Sequence, residues 1–290
     1  DIYHSIRISD PDEPLNCMFV LLKADCLLHS QEGKDAWKAV YNEGNRDAVI
    51  FANAPVLEKP STESFFKIFA QYADMASKFE AAHYDNFTVT DRFSGSGDMV
   101  KYSLGDEFLR ATFTDNGRAG EGMFSASVVD FKESLYSDRT VADYGLESVD
   151  SGYYMAYNIV AITAAKDTFI EWEGLLTECL KTLKYSDIFE NNIRGAIERD
   201  FFQARCINQN FNQTMDGIMS SWDSRNKSID IISQKQSDAT LGYERVYDTR
   251  TKEIYRAAKG FTSSYKGKGY KPVTDDNMYT TPISGYIEKD

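Results

Sequence analysis

The residues best suited to chemistry in this chain are three histidines and four cysteines. Cys26 and His29 lie three positions apart, so on a helix they would be neighbours and could supply two ligands to a metal ion. Two ligands do not complete a zinc site, and no second pair follows in the sequence. We therefore interpret Cys26 and His29 as a partly buried thiol beside a surface imidazole, and we predict no metal site. The full set is His4, His29, His83, Cys17, Cys26, Cys179 and Cys206.

A nucleophilic pair of Cys206 with His83 is the second possibility, because distant residues can meet in a folded chain. No local pattern marks either residue, and no serine lies in a Gly-x-Ser-x-Gly turn. The glycines of the stretch from Ser94 to Gly97 join two predicted strands, whereas a phosphate cradle needs a following helix. We predict no catalytic residue and no cofactor.

Carboxylates cluster at Asp10, Asp12 and Glu13, and again at Asp275 and Asp276. Calcium needs about six oxygen ligands at defined spacing, and the EF-hand loop pattern is absent. Solvated side chains are the simpler interpretation of both clusters. A pair of carboxylates for glycoside hydrolysis would meet in space rather than in sequence, so that alternative stays open.

Tyrosines are frequent in one predicted strand, at Tyr153, Tyr154 and Tyr157, which point to both of its faces. An exposed ring there would form a platform for a sugar or peptide. Packing under neighbouring helices is the alternative that we favour.

Composition disfavours several classes of function. The chain has 32 basic and 45 acidic residues and a net charge of −13, which disfavours nucleic acids and anionic membrane surfaces but allows a cationic partner. No apolar run approaches the roughly 20 residues that span a bilayer. The first residue, Asp1, is compatible with removal of a signal peptide. Four cysteines without a Cys-x-x-Cys pair predict buried free thiols rather than a disulfide scaffold.

The clearest structural pattern is a strand followed by a helix, between Gly152 and Ser186. The strand, Tyr153 to Ile162, precedes a helix that we predict to begin with a Thr168–Glu171 capping box. Apolar residues recur along that helix at the spacing of one face: Trp172, Leu175, Leu176, Cys179, Leu180 and Leu183. This pattern predicts a helix that covers a sheet.

The other elements follow from periodicity and turn residues. Residues 6–8 form a short strand; the apolar segment from Leu15 to Cys26 is either a helix opened by Pro14 or a buried strand. Strands alternate with turns from residue 87 to 131, including a strong turn at Asp115-Asn116-Gly117. The remaining predictions are helices at 34–41 and from Pro60 to about residue 82, strands at 87–91, 99–104, 108–114 and 123–131, a two-residue turn at 105–106, a polar connector at 134–150, a long helix or two over 187–235, a hairpin at 243–256, and a loop-like tail at 260–290.

Together these elements predict an α+β fold with an antiparallel β-sheet meander covered by helices, a long helical segment and a C-terminal β-hairpin. The regions are 1–85, mainly helical; 86–186, the sheet and its covering helix; and 187–290, the long helix, hairpin and tail. We expect them to form one or two compact domains.

Residues 187–265 resemble the C-terminal part of a broad group of uncharacterised bacterial secreted proteins and lipoproteins. The similarity rests on Trp222-Asp223-Ser224-Arg225, then Asp230, then Ser237-Asp238, and then the run from Gly242 to Asp248. In that group the hairpin turn reads Asp-x-x-Thr-Gly, whereas here Lys252 stands in place of the glycine. The resemblance implies export to the cell envelope and supplies no catalytic residues.

We therefore expect a non-enzymatic envelope protein, secreted or on the cell surface, that binds a small ligand, peptide, glycan or envelope protein. A lipid anchor at a removed N-terminus is compatible with the resemblance. The alternative is a hydrolase of a wall polymer or glycan that uses carboxylates from distant positions.

Overall fold

The structure is a computed structural model, and it describes residues 5–76, 82–94, 103–104, 107–131, 149–192 and 211–287. The chain divides into two compact units. We call them the N-terminal unit, Asp1–Met219, and the C-terminal unit, Ser220–Asp290. Each is described by itself.

The N-terminal unit is built on a six-stranded antiparallel sheet with the strand order β1-β2-β6-β5-β4-β3. Strands β3 to β6 follow one another as a meander, and β2 then pairs with β6. The α+β prediction is confirmed. The strands are β1 (Ser5–Ser9), β2 (Cys17–Leu28), β3 (Asp85–Ser94), β4 (Glu107–Asp115), β5 (Arg118–Asp130) and β6 (Tyr153–Ala165).

Helices lie before and after the meander in sequence. Their bounds are α1 (Gln31–Asn42), α2 (Val49–Asn53), α3 (Thr62–Lys67), α4 (Phe69–Ala76), α5 (Phe169–Thr182) and α6 (Phe211–Thr240), and residues 187–192 are also helical. In the described part of the chain, no helix has the length and apolar character needed to cross a bilayer. Ser30 caps α1 and Ser61 caps α3, each accepting a hydrogen bond from a backbone N–H three residues on.

The sheet is buried on both faces at its centre. An aromatic cluster that includes Phe66, Phe69 and Phe124 lies against one face, where α3 and α4 pack. A second cluster includes Trp37, Phe51, Tyr153 and Tyr157, with residues of α1 and α2. Each fully buried phenylalanine of this kind stabilises the fold by about 2 kcal/mol.

A bulge in β6 decides which side chains reach which face. Ser125 of β5 pairs with Val160 of β6, whereas Ser127 pairs with Tyr157, so β6 contains one extra residue over this span. Asn158 lies within it and adopts a left-handed φ of 50°. Tyr154 precedes the bulge and Ile159 follows it, yet both enter the same core cluster. One extra residue therefore reverses the odd–even pattern of the strand.

The apolar segment after Pro14 forms β2, so the helix interpretation was wrong and the buried-strand interpretation is correct. Eleven of the twelve residues of β2 are buried, because strands pair on both of its sides and clusters cover both of its faces. A strand buried in this way shows no alternation of apolar and polar residues.

The covering helix also differs from its prediction in two details. The Thr168 hydroxyl donates to the Ala165 carbonyl at 3.3 Å and forms no cap, so the capping box was wrong. Phe169, Leu176 and Leu180 are buried in α5, whereas Leu175 is 57% exposed. The buried side of the helix is thus rotated relative to the predicted apolar face.

The strands predicted at 6–8, 87–91, 108–114, 123–131 and 153–162 are all present. The turn at Asn116 and Gly117 is also confirmed, since both residues have the positive φ of a type I′ hairpin turn. Outside the described residues lie most of the predicted strand at 99–104, the turn at 105–106, most of the stretch from Ser94 to Gly97 and of the connector at 134–150, and residues 193–210.

The C-terminal unit has a four-stranded sheet in the order β10-β8-β7-β9. Its predicted hairpin is confirmed, but the tail after residue 260 contains two strands and a short helix rather than loop alone. The elements are β7 (Tyr243–Asp248), β8 (Ile254–Ala258), α7 (Phe261–Ser264), β9 (Tyr270–Pro272) and β10 (Ile283–Ile287). Val246, Ala257 and Phe261 form its small core.

Candidate functional site

A cleft of about 520 Å³ opens between α3 and β3, the edge strand of the six-stranded sheet. Its lining consists of Glu63 and Lys67 from α3 and the six consecutive residues 87–92 of β3. A cleft on one face of a strand would meet alternate residues only, because successive side chains point to opposite faces. Six in succession show that the cleft follows the outer edge of β3, where no described strand pairs.

Helix α3 is fixed over this edge by contacts with the sheet. The Thr62 hydroxyl, which is buried, donates to the Ala126 carbonyl at 2.9 Å. Phe66 stacks on Phe87 with ring centroids 5.7 Å apart and packs edge-on against Phe124. These contacts hold the two walls of the cleft in one geometry.

Glu63 is the centre of charge in the cleft. One carboxylate oxygen accepts a hydrogen bond from Lys67 Nζ at 2.6 Å, and the other accepts one from Arg92 Nη2. These two cations, first Lys67 and then Arg92, lower the pKa of the Glu63 carboxyl. A general acid for glycoside cleavage needs a raised pKa, so Glu63 is suited to orientation and binding rather than to proton donation.

The backbone of β3 is irregular where it borders the cleft. Its register against β4 shifts between Asp85 and Thr88 and again between Val89 and Asp91, and Asn86 has a φ of 55°. Each shift inserts one extra residue into β3, because β4 advances one residue fewer over the same span. Such bulges interrupt the regular row of N–H and C=O groups that an edge strand would otherwise offer.

A second cluster of titratable groups surrounds His29 at the end of β2. His29 Nδ1 lies 3.0 Å from an oxygen of Asp150, and Nε2 lies 3.1 Å from an oxygen of Asp130. The ring also packs on Tyr154, with centroids 4.1 Å apart. Burial, followed by the charges of Asp130 and Asp150, raises the pKa of the Tyr154 phenol.

The His29 ring is held between the carboxylates of Asp130 and Asp150. Both ring nitrogens face carboxylates that lie at the end of β5 and just before β6, so neither nitrogen is directed at an open position. Asp150 also accepts from the backbone N–H of Gly152 at 3.1 Å. A Cβ on Gly33 would come within 2.3 Å of the Asp150 carbonyl oxygen, so only glycine lets α1 approach this closely.

Cys26 and His29, which the sequence places three residues apart, do not lie on a helix. Cys26 lies in a strand, is buried with Trp37 and Phe51, and burial raises the pKa of its thiol. Among the described residues, no group of three or more histidines, cysteines or carboxylates is placed to hold a metal ion. Cys17, Cys26 and Cys179 are free thiols, and Cys206 lies outside the described residues.

Of the described residues, no other candidate from the sequence lines the cleft. His83 contacts Asp74 at 3.5 Å, and its proposed partner Cys206 is not described. Asp10 and Glu13 accept hydrogen bonds from the backbone N–H groups of Asp12 and Leu15. Asp275 caps the 3₁₀ turn at Asp276–Thr280, because its side chain accepts a hydrogen bond from the backbone N–H of Asn277.

The tyrosines of β6 are not an exposed ligand platform, because Tyr153, Tyr154 and Tyr157 are all buried. His4 lies outside the described residues.

The C-terminal unit contains a buried ionic network around Asp238. One oxygen of Asp238 accepts from Arg245 Nε at 2.7 Å, and the other accepts from Arg256 Nε at 2.8 Å. Arg245 also donates to Gln234 and to the Tyr279 carbonyl, and its guanidinium lies 4.4 Å from the centre of the Tyr279 ring. The network joins the helix to the sheet and the 3₁₀ turn within this unit.

Sequence reasoning did not identify the cleft. The spacing of Glu63 and Lys67 is that of an i,i+4 helical ion pair, which is a readable signal. Arg92 lies 29 residues further along, and no pattern connects it with Glu63. No protein-family model, curated protein or solved structure matches this chain.

Proposed function

We propose that this chain is a non-enzymatic binding protein of the bacterial cell envelope and that its ligand occupies the cleft beside β3. The observation that carries the proposal is the cleft itself, an open groove with both walls held in place by buried contacts. Pre-formed walls favour binding because little ordering is needed when a ligand enters. The resemblance of residues 187–265 to exported bacterial proteins supports the location.

Binding is tested with a panel of soluble peptidoglycan fragments, oligosaccharides and short peptides, measured by isothermal titration calorimetry. The variant Thr90→Trp places a bulky side chain in the cleft, and we expect it to weaken binding by about tenfold or more. Thr182→Trp is the matched control, because Thr182 is an exposed threonine of α5 outside the cleft. A ligand that binds both variants equally well would place the binding site elsewhere.

A hydrolase is the second candidate, because two carboxylates, those of Glu63 and Asp91, line the cleft. The lowered pKa of Glu63 argues against a general acid at that position. Incubation with wall polymers, glycans, esters and peptides decides between the two. Turnover that Glu63→Gln or Asp91→Asn abolishes would replace binding by catalysis as the function.

Location is tested separately, by fractionating cells that express the full-length gene with a C-terminal epitope. We expect the protein in the envelope or the medium. Its recovery with the cytoplasmic fraction would contradict the proposed export and leave the cleft hypothesis unchanged.

A further inference from the structure

We infer that the ligand of the β3 cleft is an uncharged oligosaccharide. This inference rests on the proposed binding function and specifies the class of ligand. Three properties of the cleft support it: its balanced charge, its irregular edge, and the mixture of hydrogen-bonding groups along its walls.

The charged side chains of the cleft cancel. Glu63 and Asp91 contribute two negative charges, and Lys67 and Arg92 contribute two positive charges. The two cations already share the Glu63 carboxylate, which reduces their attraction for an anionic ligand. The whole chain carries a charge of −13, which repels an anionic polymer as it approaches.

The edge of β3 is poorly suited to an added peptide strand. An extended peptide that joins a sheet edge needs a regular row of N–H and C=O groups at two-residue spacing. The bulge between Val89 and Asp91 breaks that row within the segment that lines the cleft, and the bulge between Asp85 and Thr88 breaks it where that segment begins. The edge therefore offers separate polar groups rather than a continuous ladder.

A sugar chain matches these separate groups, since each hydroxyl both donates and accepts hydrogen bonds. Lys67 and Arg92 are donors with 51% and 46% of their side chains exposed. One oxygen of the Asp91 carboxylate accepts a hydrogen bond from the backbone N–H of Arg92 at 2.9 Å, and the group adds a negative charge to the cleft. The hydroxyls of Thr88 and Thr90 donate to the Asn86 and Arg110 carbonyls, which leaves their oxygens able to accept. Val89, which is half-buried, adds apolar surface between the two threonines.

The test compares matched probes by isothermal titration calorimetry on the whole chain. The neutral probes are oligomers of N-acetylglucosamine, maltose-type glucan and cellulose-type glucan. The anionic probe is an oligogalacturonate of equal length, and the peptide probe is a short peptide of alternating threonine and valine. We expect a neutral oligomer to bind, with a Kd that changes less than about twofold between about 0.05 M and about 0.5 M salt.

The variants Thr90→Trp and Thr182→Trp then assign the site. Loss of neutral-sugar binding in Thr90→Trp, and its retention in Thr182→Trp, is the expected result. Binding of the peptide or of oligogalacturonate at the cleft, without a neutral sugar, would overturn this inference and leave the binding function standing. Absence of binding by every neutral oligomer would also overturn it. Sugar binding that persists in Thr90→Trp would remove the cleft from both proposals.

Discussion

Asp238 shows how a single side chain can hold a small unit together. Its carboxylate is 5% exposed and pairs with Arg245, which is 2% exposed, and with the partly exposed Arg256. Removal of one member of a buried ion pair leaves the other charge without compensation, which is more costly than the pair itself is stabilising.

Asp238→Asn is therefore expected to lower the free energy of unfolding of the C-terminal unit by about 3–5 kcal/mol. The measurement is hydrogen exchange of peptides from β7 and β8 under native conditions. Asp276→Asn is the matched control, because Asp276 pairs with Lys235 at the surface, at 2.5 Å and with 63% of its side chain exposed. We expect that control to cost less than about 1 kcal/mol. Equal losses of stability in the two variants would show that the buried network around Asp238 stabilises the unit no more than a surface ion pair does.

In the N-terminal unit His29 stabilises the fold in a similar way, because its ring lies between the carboxylates of Asp130 and Asp150 and contacts both. His29→Ala removes both hydrogen bonds and the contact with Tyr154, so we expect a loss of about 2 kcal/mol in the free energy of unfolding. Urea denaturation provides the measurement. His83→Ala, which removes a half-exposed ring with a 3.5 Å contact to Asp74, should change stability much less.

At the scale of elements, the hairpin turn after β7 holds a lysine, Lys252, in a backbone conformation that glycine adopts most readily. Asp248 accepts hydrogen bonds from the backbone N–H groups of Arg250 and Thr251. Lys252 adopts a φ of 67°, the left-handed conformation for which glycine is preferred. The turn therefore forms although lysine, rather than glycine, occupies the left-handed position.

Lys252→Gly should stabilise the C-terminal unit by about 0.5–1 kcal/mol, because the left-handed conformation costs lysine about 1–2 kcal/mol and glycine's extra chain entropy offsets part of that gain. Lys259→Gly provides the comparison at the other end of β8, where φ is not positive. That change should destabilise the unit. Hydrogen exchange of the hairpin distinguishes the two results, and destabilisation by both would refute strain at Lys252.

The attachment of α3 to β3 through Glu63 predicts a dependence on pH. Because the pKa of Glu63 is lowered in the folded chain, its ionised form stabilises the fold fully above the ordinary value of 4.5. This contribution disappears as the pH falls below 4.5 through the lowered pKa. Glu63→Gln should therefore reduce stability near neutral pH by about 0.5–1 kcal/mol, with the difference vanishing in acid.

Urea denaturation of wild type and Glu63→Gln across this pH range tests the expectation. Glu178→Gln is a suitable control, since Glu178 pairs with Lys181 on the exposed side of α5. If the difference in free energy of unfolding between wild type and Glu63→Gln stays the same below the pKa of Glu63, an electrostatic role for Glu63 is contradicted.

The elements that sequence predicted well are those with a local signal. The alternation in β4 and β5, and the Asn116-Gly117 turn between them, depend on neighbouring residues alone. The identity of β2 was ambiguous because burial on both faces removes alternation. The cleft could not be predicted, since it needs α3 to lie beside β3, and the contact of Glu63 with Arg92 depends on the whole sheet being assembled.

At the scale of the whole molecule, the dominant electrostatic feature is the charge of −13. Attractive surface pairs such as Lys181 with Glu178 contribute about 0–1 kcal/mol each, and salt weakens them. Repulsion among the excess carboxylates is spread over the whole chain and acts over longer distances. At low salt the screening length is about 30 Å, so repulsion extends across much of the surface, whereas near 0.15 M salt it is about 8 Å.

Repulsion should therefore outweigh the surface pairs, and salt should stabilise the chain. We expect the melting temperature to rise by a few degrees between about 0.01 M and about 0.15 M NaCl at neutral pH, because screening relieves the self-repulsion of the compact state. Calorimetry at constant protein concentration measures the shift. Repetition near pH 4.8, where the net charge approaches zero, serves as the control, and the rise should be much smaller there. A melting temperature that falls with salt at neutral pH would mean that the attractive pairs, rather than the excess of carboxylates, determine the electrostatic stability of the chain.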